Sequence, residues 1–208
     1  MSKAVDRKIQ DAQNLEPVAN KYQGDLATAG ISPEFLADYH ARLETVIAKD
    51  VAQKEAMTKK NSATRLQNSV LKRCYAALKK VINIAKSAYV DDRERLKEFH
   101  IGGKSVKGVS AALAEMAYMK NAVNNHMDEL GQWGANAALL TEIDTCIQEL
   151  KDADNSQENA KNLQVVATNE RDRAVAALEK AKFRIRKAAE IIFADNADVL
   201  KEFETTLA

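Results

Sequence analysis

Apolar residues recur at three- and four-residue spacing along almost the whole chain, and that period predicts helices. Val5, Ile9, Ala12, Ala19, Tyr22 and Leu26 fall on one face of a first helix over residues 4–29. Gly30 then suits a left-handed cap, and Ser32 with Pro33 suits the opening of a second helix. Neither Gly nor Pro occurs between Glu34 and Ile101. Along that stretch Phe35, Leu36, Tyr39, Leu43 and Ile47 form an apolar stripe, which turns polar around residues 50–61. It resumes at Leu66, Val70, Cys74, Leu78, Val81 and Ile84. A short third helix follows, with Asp91 as its expected N-cap, Glu94 three residues later, and Leu96 and Phe99 to close the end.

The same order returns 104 residues on. Leu96-Lys97-Glu98-Phe99 matches Leu200-Lys201-Glu202-Phe203, Gly30 matches Gly134, Leu26 matches Leu130, and Ala63-Thr64 matches Ala167-Thr168. Asp91 and Asp195 are the matching caps, and Asn136 repeats the cap at Ser32. Pro17 should kink or restart the first helix, but its counterpart is Asn121, so that feature is not shared. The expectation is an all-α fold of tandem duplicated helical units forming an elongated antiparallel helical bundle or coiled coil. Unit 1 is residues 1–100, a Gly-containing linker covers 101–107, and unit 2 is residues 108–208.

The polar middle leaves two models open for residues 33–90 and 137–193. Each stretch is either one helix of about 55 residues, roughly 80 Å long at 1.5 Å per residue, or a hairpin of two shorter helices. Matched positions 53, 56, 63, 70, 77 and 81 keep a 3.5-residue period, which favours the continuous helix. Asp50, Gln53, Asn61, Asp154 and Gln157 would then form a polar layer that sets register, or would simply face solvent.

Composition agrees with helix. Ala, Lys, Leu and Glu are the commonest residues, Gly (7) and Pro (2) are scarce, and a 46% hydrophobic content suffices for a core. Basic and acidic residues number 31 and 30, so no excess of positive charge points to a nucleic-acid partner. No 18-residue apolar run exists, so no membrane span is expected. The first residues lack the apolar core of a secretory signal, which makes cytoplasmic residence the default; a leader removed ahead of residue 1 stays open. Cys74 and Cys146 read as buried thiols, with an interhelical disulfide as the alternative.

Candidate chemistry is sparse. His40, His100 and His126 show no Glu-x-x-His spacing, so the di-iron bundle pattern is absent. Asp91-Asp92 and Asp128-Glu129 read as capping and solvated groups. The acidic cluster of Asp152, Asp154 and Glu158 lacks the Gly and terminal Glu of a calcium loop. Gly102-Gly103-Lys104-Ser105 has no upstream Gly and no preceding strand, so it reads as linker rather than phosphate loop. Arg171, Arg173, Lys180, Arg184 and Arg186 are the best candidates for contact with an anionic surface. Met116, Tyr118, Met119, His126, Met127 and Trp133 could line a site for a small apolar ligand or metal, although such stripes are commonly core.

The Gly turn LATAGISPEFLADY, the polar stretch DADNSQENAKN and the run to FADNADVLKEF resemble a group of uncharacterised bacterial helical proteins with Ala-rich coiled-coil segments. That resemblance implies a helical fold and brings no activity, cofactor or site residue with it. The expected role is structural or scaffolding, through self-association as a homo-oligomer or through contact with another protein, without catalysis or cofactor. The alternatives are a helical-bundle binder of a small apolar ligand or metal, and a peripheral binder of anionic surfaces through the Arg171–Arg186 face.

Overall fold

The computed structural model describes residues 3–103 and 107–204, and within them every regular element is helical. The order is α1 (Lys3–Lys21), α2 (Gln23–Thr28), α3 (Pro33–Ala88), α4 (Arg93–Glu98), α5 (Val109–Asn125), α6 (Met127–Leu130), a 3-10 turn (Gly131–Trp133), α7 (Ala137–Ile192) and α8 (Ala197–Glu204). No helix among the described residues is long and apolar enough to cross a membrane. Linker residues Lys104, Ser105 and Val106 lie outside the described residues.

The first helix is not continuous over 4–29. It breaks at Tyr22 (φ −107°, ψ 23°), and the break recurs at His126 (φ −117°, ψ 25°). Pro17 does not cause it, because α1 runs through Pro17 and the second break has no proline near it. The Gly turns form as expected. Gly30 (φ 81°) and Gly134 (φ 106°) take the left-handed conformation that favours glycine. Ile31 N–H donates to the Leu26 carbonyl at 3.0 Å, and Ala135 N–H donates to the Leu130 carbonyl at 3.1 Å. These are the long bonds of a Schellman cap, and both flanking apolar pairs are buried.

Ser32 Oγ accepts from Phe35 N–H at 3.3 Å and Asn136 Oδ1 accepts from Leu139 N–H at 3.0 Å, so both long helices carry the expected N-caps. The third helix is capped one residue later than expected. Asp92, rather than Asp91, accepts from Glu94 and Arg95 N–H, and Asn196, rather than Asp195, accepts from Val199 N–H.

Helices α3 and α7 are each unbroken over 56 residues, so the hairpin model fails. On α3 the buried positions stop at Asp50 and resume at Val70; on α7 they stop at Ala153 and resume at Val175. Half-buried residues continue the three-four spacing through those stretches, with Gln53, Ala56, Lys60, Ala63 and Gln67 on α3 and Gln157, Ala160, Gln164, Ala167 and Arg171 on α7. The seam positions are therefore small or polar, and helix continuity there comes from good helix formers without Gly or Pro.

Packing divides the chain into two compact units: residues 1–57 with 163–208, and residues 58–162. Each unit thus draws on part of α3 and part of α7. In the first unit, Ala12, Leu15 and Ala19 of α1 pack with Tyr39, Leu43 and Val46 of α3, Leu178 and Ile185 of α7, and Phe203 of α8. In the second, Met116, Met119 and Val123 of α5 pack with Cys74, Leu78 and Val81 of α3, Ile143, Cys146 and Leu150 of α7, and Phe99. Phe99 and Phe203 close their cores as the sequence pattern predicts. Along each unit, α7 partner numbers fall as α3 numbers rise. Phe35 meets Arg184 and Lys49 meets Glu170 in the first unit; Gln67 meets Asp154 and Lys80 meets Glu142 in the second.

Candidate functional site

In the first unit, an ion network crosses three helices. Asp11 of α1 is buried beside Ala12, where its carboxylate has little water. It accepts from Lys182 Nζ at 2.6 Å and from Arg186 Nη2 at 2.7 Å, both on α7. Lys182 also reaches Glu179 at 2.7 Å, and Arg186 Nε donates to the Phe203 carbonyl at 2.9 Å. Burial pushes the Asp11 carboxyl up. The bonds from Lys182 and then Arg186 outweigh burial and hold it below the usual carboxylate range. Nearby, the buried Tyr39 hydroxyl donates to the Ala12 carbonyl at 2.9 Å, and burial first, then the Asp11 charge, raise its pKa. Every group here has a partner, so the network holds α1, α7 and α8 together and presents no reactive atom.

The anionic-surface candidates separate. Arg186 is turned inward on Asp11, Arg171 pairs with its neighbour Asp172, and Arg184 lies over the Phe35 ring at 4.6 Å. Arg173, Lys180 and Arg184 are exposed, and their spacing of seven and four puts them on one face of α7. The polar-layer residues also differ among themselves. Asp50 is buried and paired with Lys54 one turn on, Asp154 accepts from Gln67 at 2.6 Å, Gln53 and Gln157 are half-buried, and Asn61 is exposed.

The histidines bond to carboxylates. His40 meets Glu16 at 2.6 Å, His100 meets Glu115 at 2.9 Å, and His126 meets Glu98 at 3.0 Å against the Tyr89 and Phe99 rings. Among the described residues, no group of three or more His, Cys, Asp or Glu is placed to hold a metal ion. Asp152 accepts from Gln148, and Glu158 pairs with Lys161. Met116 and Met119 are core, whereas Tyr118 and Trp133 are 42% and 48% exposed, so that stripe does not close around a site. Cys74 and Cys146 are buried and free; the Cys74 thiol donates to the Cys146 carbonyl at 3.5 Å, and burial pushes it up to about 12.

The second unit carries a pocket of about 500 Å³, in the size range of small-molecule sites. Leu78 and Ile82 of α3 and Ile101 give it an apolar floor. His100 and Glu115 form one wall, where the His100 ring stacks on Tyr118 with centroids 4.4 Å apart. Lys79 and Lys86, seven apart on α3, stand at the rim with Lys107. The sequence pattern named His100 and Tyr118 but did not join them to Leu78 and Ile82, which look like ordinary stripe positions. The available signal was the pair of lysines flanking Ile82 on the same helical face.

No family model, curated protein or solved structure matches the chain.

Proposed function

We propose that this is a structural or scaffolding helical protein that acts by self-association, with a second copy of the chain as its partner. The observation that carries the proposal is an exposed apolar set in the first unit. Leu163, Val165 and Val166 are 62%, 51% and 52% exposed inside the unbroken α7. Covering such side chains contributes about 25 cal/mol per Å² of apolar surface removed from water. Leu163 and Val166, three residues apart, share one face of α7, and such a pair favours an interface over bare solvent.

A tandem duplication, with α3 and α7 as an antiparallel coiled coil, supports the same reading. Both long helices have 56 residues and start at equivalent positions, Pro33 and Ala137, 104 apart. The breaks at Tyr22 and His126 and the caps at Asp92 and Asn196 keep that offset.

Sedimentation equilibrium from about 1 to 100 µM tests the proposal. The wild type should dimerise, and Leu163→Glu with Val166→Glu should stay monomeric with an unchanged helical signal. A wild type that is monomeric throughout overturns the reading.

A second reading, peripheral contact with anionic surfaces, has support from the shared face of Arg173, Lys180 and Arg184. Salt-sensitive retention on anionic vesicles would favour it, and retention unchanged by Arg173→Gln with Lys180→Gln would end it.

A further inference from the structure

We infer that the pocket of the second unit binds a small monoanionic amphiphile, an acid headgroup on an apolar chain or ring. Leu78, Ile82 and Ile101 line it with apolar side chains, and the Tyr75 hydroxyl beside them already accepts from Gly108 N–H, so an apolar body can lie against this part of the lining at little polar cost. Charge at the mouth is one-sided. Lys79, Lys86 and Lys107 are exposed and make no ion pair with any described residue. The single carboxylate in the lining, Glu115, already faces His100 at 2.9 Å. Three ammonium groups around an apolar floor favour an anion over a neutral or cationic body of the same shape, because the headgroup stays near water while the tail is covered.

The corresponding place in the first unit explains why the pocket is open; this clause alone rests on the proposed duplication. At the offset of 104, Asp11 corresponds to Glu115, Lys182 to Leu78 and Arg186 to Ile82. In the first unit the two long cations occupy the place and neutralise Asp11. In the second, the shorter apolar side chains leave space, and the positive charge sits at the rim.

Isothermal titration of the full chain with decanoate, decanol and decyltrimethylammonium tests the inference. Decanoate should bind one per chain with Kd below about 1 mM, and at least about fivefold more tightly than either other probe. Lys79→Gln with Lys86→Gln, both exposed, should weaken decanoate about fivefold and leave decanol unchanged. Raising salt should act in the same direction. Ile82→Arg, which installs the residue of the first unit, should remove binding of decanoate and decanol alike. Equal affinity for the three probes, no decanoate binding at about 1 mM, or indifference to the lysine pair overturns the inference. Stoichiometry per chain is read whether the protein is monomer or dimer, so failure here is distinct from failure of self-association.

Discussion

Replacing Asp11 by Ala removes the one carboxylate that holds both Lys182 and Arg186 in the first unit. The Lys182 and Arg186 side chains are only 10% and 25% exposed, so their charges would stay largely out of water. Breaking a buried pair by deleting one partner costs about 3–5 kcal/mol. Here the lower end applies, about 3 kcal/mol, because Lys182 keeps Glu179 and Arg186 keeps the Phe203 carbonyl. Urea unfolding followed by far-ultraviolet circular dichroism at pH 7 measures the difference. Adding Lys182→Met and Arg186→Met to Asp11→Ala should recover all but about 1 kcal/mol, since no unpaired charge then remains. The folded Asp11 pKa is depressed, so its contribution is complete above the unfolded value of about 3.9 and is lost as pH falls through the folded value. The gap between wild type and Asp11→Ala should therefore narrow in strong acid. A loss under about 1 kcal/mol at pH 7, or a gap that does not change with acid, would refute the reasoning.

Other expectations can be checked as directly. Gly30→Ala and Gly134→Ala should each cost about 1–2 kcal/mol in thermal or urea unfolding. A Cβ at either position meets nothing within 4 Å, so the cost is backbone strain alone, and D-Ala at the same position should remove it. Cys74 and Cys146 should resist a thiol-specific disulfide reagent in the native protein near neutral pH and react fully once unfolded; fast native labelling would contradict their burial. Tyr39→Phe should cost about 1 kcal/mol for the bond to the Ala12 carbonyl. Because the folded Tyr39 pKa is raised, wild-type stability should fall as pH rises above the unfolded value of about 10, and less so in the variant.

Much of the local structure was legible along the chain. Gly30 and Gly134 announced their turns because glycine takes a left-handed conformation at little cost. Ser32 and Asn136 announced their caps because a short side-chain oxygen satisfies a free N–H at a helix start. Continuity of α3 and α7 followed from long runs without Gly or Pro. Caps at Asp92 and Asn196, next to the residues expected, show where pattern reading loses resolution: adjacent Asp91 and Asp92, or Asp195 and Asn196, serve almost equally well as caps. The breaks at Tyr22 and His126 share no Gly or Pro that would mark both, since Gly24 beside the first is matched by Asp128 beside the second.

Helical class, the Gly turns and the caps of the long helices are local properties, set by spacing and propensity within a few residues, and the sequence determined them. Partner choice is not local. Asp11 meets Lys182 across more than a hundred and seventy residues, and Cys74 meets Cys146, because only packing decides which apolar faces cover each other. For the same reason tertiary structure alone decided that each core draws on both α3 and α7, that Arg186 turns inward, and that Leu78 and Ile82 line a pocket. A stripe of apolar residues states that burial must happen, and it carries no record of what does the burying.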